Sequence, residues 1–127
     1  MAYVPYKGAC LSIPYNDIPH LFVVLNDPCR DRQCLTVMVT SIKEGRAYDA
    51  ACVLDVGDHP YITKRSYLLY RMADAQLADH ISKMVELSYY ELKEDMGAEV
   101  FERIARGLFD SEEVKMRVIR YANSVGI

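Results

Sequence analysis

Residues 52–72, CVLDVGDHPYITKRSYLLYRM, gather one histidine, an adjacent lysine and arginine, one serine and three tyrosines between two apolar runs. In the GDHP turn, Gly57 and Asp58 allow a tight reversal and Pro60 pushes His59 toward an extended conformation. His59 is thus expected to stand on a loop, free to exchange protons near neutral pH. His20, just before an apolar run, is the second imidazole. Two imidazoles and a cation suit general acid–base cleavage of a phosphodiester. One takes the ribose 2′-OH proton and the other protonates the leaving oxygen. Lys64 and Arg65 could hold the phosphate and its developing charge.

Hydroxyls and flat rings complete the set. In CLTVMVTSI (34–42), Leu35, Val37 and Val39 share one strand face and Thr36, Met38 and Thr40 the other. Thr40 and Ser41 then emerge where the strand gives way to a loop, although threonine is also simply a good strand residue. Tyr61, Tyr67 and Tyr70 could stack on unpaired bases or pack as half-buried sheet residues. Arg30 and Arg32 could extend a basic rim or be solvated loop charges. His80 is assigned no role.

The elements that must position these groups divide the chain in two. HLFVVLN (20–26), CLTVMVTSI (34–42), AACVLDV (50–56) and SYLLYRM (66–72) read as strands separated by turn-forming segments, and ACLSI (9–13) adds a fifth. No helical period intervenes, so an antiparallel sheet closing into a small barrel is predicted. Beyond it, Leu77, Ile81, Met84, Val85 and Leu92 make one helical stripe over about 74–94, with Asp74 as N-cap. Val100, Phe101, Ile104 and Leu108 make a second, which Gly107 helps to end. DSEE (110–113) offers a capping box from Asp110 to Glu113 before a third stripe of Val114, Val118, Tyr121 and Ala122. The expected fold is α+β: a β-barrel core over 1–73 and a helical appendage over 74–127 packed on it as one compact domain.

Composition narrows the chemistry further. Half of the 127 residues are hydrophobic and the formal net charge is −3, which argues against indiscriminate nucleic-acid binding through positive charge. Residues 1–70 balance seven Lys/Arg with seven Asp/Glu, whereas 71–127 carry eight against eleven. The four cysteines, Cys10, Cys29, Cys34 and Cys52, lack the CxxC spacing of structural zinc and fit reduced thiols, Cys34 and Cys52 as core residues. No P-loop, GxGxxG, HExxH, nucleophile elbow or paired-carboxylate signature occurs. No metal or cofactor is expected. With no secretory signal at MAYVPYKGAC and no membrane-spanning run, the expected location is the cytoplasm, without membrane association.

The order of these elements resembles the PemK/MazF-like toxin family over roughly residues 15–80. HLFVVLN resembles the early apolar strand of that family, VMVTSI the strand ending in a Thr-Ser step, and RSYLLYRM the later serine-led strand. The resemblance implies an SH3-like barrel that dimerises and a toxin-type endoribonuclease that cuts single-stranded RNA without metal. It further implies an antitoxin protein as partner, within a toxin–antitoxin or phage-defence system. An arginine from the early strand and the threonine of the Thr-Ser step do the chemistry in that family. Thr40, with Ser41 beside it, matches the threonine; His20 stands where the arginine is expected, and Arg65 is the alternative source of charge. The expected catalytic set is therefore Thr40, Ser41, His20, His59 and Arg65, with Lys64, Arg65, Tyr61, Tyr67, Arg30 and Arg32 binding RNA. The alternative is a non-catalytic barrel of the same class that binds protein or nucleic acid.

Overall fold

A computed structural model describes residues 2–127. Its centre is β3 (Gln33–Ser41), nine residues buried on both faces from Cys34 to Val39. On one side β3 pairs with β2 (Ile18–Val24), and β2 in turn pairs with β1 (Cys10–Tyr15). The other side is shared. The start of β3 pairs with β6 (Asp74–Leu77) and its end with β5 (Ser66–Leu68), a 3-10 turn at Tyr70–Met72 bridging the two. A two-residue β4 (Val53–Leu54) lies outside β5, and β7 (Glu91–Lys93) lies outside β1. Every pairing is antiparallel, in the order β4-β5-β3-β2-β1-β7.

The sheet is therefore open, and the expected closed barrel is corrected. Its two outer strands, β4 and β7, are two and three residues long. Each has too few backbone groups to bridge a sheet back on itself. Helices fill the space instead. Leu35, Val37 and Val39 of β3, with Leu21 and Val23 of β2, face Ile104 and Leu108 of α2 (Ala98–Asp110) and Val118 and Ala122 of α3 (Met116–Val125). On the opposite face a smaller cluster packs Leu11, Val24 and Cys34 under Ala78 and Ile81 of α1 (Ala78–Glu86). The fold is α+β, with helices on both faces of an antiparallel sheet.

The second half departs from three long helical stripes. The stretch read as one helix over 74–94 is β6, α1 and β7 in succession. Asp74 caps nothing; it sits in β6 opposite Thr36 and pairs with Arg117 at 3.2 Å. Ser88, at φ 63, turns the chain out of α1 and back toward the sheet. Gly107 lies within α2 and does not end it. A Cβ there would run into the Tyr70 hydroxyl, with Cys52 Cβ at 2.9 Å. The Asp110–Glu113 capping box is replaced by Ser111. Its hydroxyl accepts the Glu113 and Val114 N–H groups and donates to Asp49 at 2.5 Å, pinning the α2–α3 turn to the long β3–β4 loop. Lys115 then occupies the N-cap position of α3.

All four cysteines are free thiols. Burial pushes the Cys10 and Cys34 thiols up, to about 12 and about 11. Cys29 is lowered instead, chiefly by the hydrogen bond from the Tyr121 hydroxyl. Among the described residues no helix is long and apolar enough to cross a membrane.

Candidate functional site

The site begins where two strands part. The β2–β3 ladder runs from Val24↔Thr36 to Leu21↔Val39 and stops. Beyond that point β2 stays with β1 as far as Ile18↔Tyr15, while β3 stays with β5 as far as Ser41↔Ser66. Pro19, in β2, has no N–H to continue the pairing. The two strand ends enclose a notch of about 430 Å³, floored by the loop Tyr61–Lys64.

His20 and Thr40 stand on facing lips of this notch, since the register continued by one residue sets them opposite each other. His20 is half-buried. Its Nδ1–H donates to the Ile18 carbonyl at 2.9 Å, and its ring meets Tyr15 edge-on at 6.1 Å. In a neutral ring the bond to the Ile18 carbonyl sets the tautomer, with Nδ1 as donor and Nε2 as acceptor. Ser41, Ser66, Lys43, Thr63 and Lys64 complete the polar lining. Thr40 and Ser41 project to opposite faces of β3, as strand alternation requires, and both reach the notch because it is open between the strands. Tyr61 lies against the floor, its hydroxyl 3.2 Å from Ser12 and its ring 5.2 Å from the Lys93 ammonium.

The structure thus gathers His20, Thr40, Ser41, Lys64 and Tyr61 in one concavity. His59 lies outside the lining, and the expectation of a solvent-facing imidazole is corrected. Only 3% of it is exposed. The Tyr61 N–H donates to Nδ1 at 3.0 Å, so Nε2 carries the proton and donates to the Glu94 carbonyl at 2.6 Å. Both ring nitrogens are committed, and His59 fastens the notch floor to the segment leading into α2. Arg65 is exposed beside Asp55 at 3.4 Å and does not line the notch. Tyr70 is fully buried, its hydroxyl donating to the Ile104 carbonyl at 2.7 Å. Tyr67, opposite Thr40, is half-buried against Tyr48 at 5.5 Å.

Arg32 pairs with Asp79 of α1, and Arg30 lines a separate cavity of about 640 Å³ bounded by the β2–β3 loop, α2 and the end of α3. Neither touches the notch. Lys43, Thr63 and Ser66 were missed from sequence, although Lys43, two residues past Ser41, carries the same strand-end signal as its neighbours. Among the described residues no group of three or more His, Cys, Asp or Glu side chains is placed to share a metal ion.

No family model matches the chain, and no curated protein sequence does. Its fold does match solved structures. The chain is similar to chains from three crystal forms of the MazE–MazF complex of Deinococcus radiodurans. Form II aligns with TM-score 0.55 at 15% identity, over 85% of this chain and 94% of that one. Form I gives 0.52 at 17% identity over 85% and 94%, and form III gives 0.52 at 17% over 85% and 95%. At this identity the likeness concerns the fold: the chain has a MazF-like architecture.

Proposed function

We propose that this chain is a MazF-like toxin-type endoribonuclease that cuts single-stranded RNA at the notch without a metal ion, with an antitoxin protein as its natural partner. The observation that carries the reading is the convergence of His20, Thr40, Ser41 and Lys64 on one concavity. A general base, a hydroxyl and a cation must all reach the same phosphate, and their presence in the lining of one concavity supports that reading. The MazE–MazF neighbours support the toxin theme and the expectation of an antitoxin. A homodimer and a cytoplasmic setting belong to the same reading.

The chemistry follows from the groups in place. His20 Nε2 accepts the ribose 2′-OH proton as the 2′-oxygen bonds to phosphorus. Lys64 and Lys43 take up charge on the non-bridging oxygens, and the Thr40 hydroxyl donates a hydrogen bond to one of them. The P–O5′ bond breaks and the leaving oxygen receives a proton from the site or from water. The products are a 2′,3′-cyclic phosphate and a 5′-hydroxyl. A charge-neutral threonine and a single imidazole can run this transesterification because the nucleophile is internal to the substrate.

The experiment is incubation with mixed single-stranded RNA in EDTA, beside His20→Ala and Thr40→Ala variants. Cutting by the wild type, reduced at least about 100-fold in His20→Ala and clearly slowed in Thr40→Ala, is the expected result. Intact RNA with a folded wild type overturns the proposal, as does undiminished cutting by both variants. The withdrawal of His59 and Arg65 favours one second reading, a non-catalytic module of the same fold that binds RNA without turning it over. Saturable RNA binding without cleavage would select it.

A further inference from the structure

The face of the sheet that carries His20 and Thr40 continues into a second, smaller concavity. Strand alternation puts Ile13 and Tyr15 of β1, Phe22 of β2 and Met38 of β3 on the same face as His20 and Thr40. The cluster under α1 takes in Leu11, Val24 and Cys34 and reaches Ile13, with Phe22 packed half-buried against it. Between α1 and the His20–Thr40 pair lies a pocket of about 230 Å³, walled by Ile13, Tyr15, Phe22, Met38 and Met72 and holding Gln76. Phe22 is two residues from His20 and Met38 two from Thr40, a step of about 7 Å along the strands. Tyr15 touches both regions, since its ring meets His20.

The lining is specific in kind. Aromatic rings and thioethers offer flat, polarisable walls. Gln76 is the only amide, and its Nε2 spends one hydrogen on Thr36 Oγ1 at 3.0 Å. The second Nε2 hydrogen and the Oε1 oxygen remain available, a donor and an acceptor side by side in an apolar setting. The volume falls below that of pockets for drug-sized ligands and suits one planar heterocycle, not a peptide segment.

The geometry points to this pocket as a subsite that takes one unpaired nucleobase of the RNA, with Gln76 reading its edge and adenine preferred. The inference rests on the ribonuclease reading for its substrate class. Single-stranded RNA is read through bases that are splayed out, stacked on aromatics and hydrogen-bonded on their Watson–Crick or Hoogsteen edges. Adenine alone carries a donor flanked by an acceptor on both edges, N6–H with N1 and N6–H with N7, so the amide matches it in either orientation. Its larger ring system also covers more of the apolar wall than a pyrimidine does.

The test uses fluorescein-labelled 2′-O-methyl hexanucleotides, which cannot be cut at the ribose 2′-OH. Hexauridine is compared by anisotropy with versions carrying one adenosine at each position in turn. The wild type is expected to bind one of the adenosine probes about tenfold more tightly than hexauridine, the scale of one good bidentate contact. Gln76→Leu, close in volume, removes that preference. Met72→Ala, at an exposed position, weakens every probe while keeping the preference. Equal affinity of the wild type for all probes, no binding at all, or a preference that survives Gln76→Leu overturns the inference. Adenosine preference lost with Gln76 in a protein that cuts no RNA would overturn the nuclease reading alone. Cutting without a Gln76-dependent preference would overturn the pocket alone.

Discussion

His20 and His59 show how far the same residue type can diverge in use. His20 spends one nitrogen on the Ile18 carbonyl and stands in the lining of the notch. His59 spends both, joining the Tyr61 N–H to the Glu94 carbonyl in a site almost closed to water. Removing it leaves the part-buried Tyr61 N–H and Glu94 carbonyl without their partner, each costing at most about 1–3 kcal/mol, and leaves a void besides. His59→Ala is therefore expected to lose about 2–4 kcal/mol in urea denaturation at neutral pH while, on the proposed ribonuclease reading, cleavage per folded molecule is unchanged. Wild-type stability combined with abolished cleavage would instead return His59 to the catalytic set. From sequence the two imidazoles were interchangeable. The GDHP turn was legible as a turn, but nothing local signals that Glu94, thirty-five residues away, supplies the carbonyl that closes over it. The same blindness applies to Arg65, whose neighbour Asp55 lies across a loop.

At the scale of elements, the close approach of α2 to the sheet depends on Gly107. Three groups crowd the space its side chain would take: the Tyr70 hydroxyl, Cys52 Cβ at 2.9 Å and the Ala51 carbonyl at 3.1 Å. Tyr70 cannot swing aside cheaply, because it is fully buried and bonded to the Ile104 carbonyl. Alanine would favour the helix by about 1 kcal/mol on propensity alone, yet overpacking here costs about 1–3 kcal/mol. Gly107→Ala is expected to lower the melting temperature, and a raised one would show that α2 can shift outward freely. Sequence reading took this glycine for a helix end, since C-terminal glycine is the commoner case. The β half was far more legible. The strands at 20–26 and 34–42 shift by one or two residues, to Ile18–Val24 and Gln33–Ser41, because alternation over seven to nine residues is hard to imitate. The stretch 74–94 failed for the opposite reason. Leu77 and Leu92 fit the helical stripe of Ile81 and Val85, but they lie 56% and 53% exposed in short strands whose pairing with β3 and β1 is long-range.

For the molecule as a whole, each helical layer covers weak acids whose burial favours the neutral form. Cys10 belongs to the cluster under α2 and α3; Cys34 and Tyr3 belong to the cluster under α1. Burial holds the Cys10 thiol at about 12 and the Cys34 thiol at about 11, against an ordinary 9.0. It holds the Tyr3 phenol at about 12, against 10.0. A raised folded pKa means the folded state keeps its proton after the unfolded chain has released it. The stabilisation is fully present below about pH 9 and is lost as pH rises toward about 12. The urea midpoint is expected to be insensitive to these three groups from pH 7 to about 9 and to fall steadily above it. Cys10→Ala and Cys34→Ala should each flatten part of that fall despite lowering the plateau through their cavities. A wild-type midpoint unchanged up to pH 11 would mean that the thiols are hydrated in the folded state. The consequence reaches the notch, because β2 and β3 carry its lips while their other ends lie in these same clusters. Cleavage that disappears above pH 9 together with the urea midpoint therefore reports the sheet coming apart. Cleavage that disappears while the midpoint holds reports a change within the notch itself.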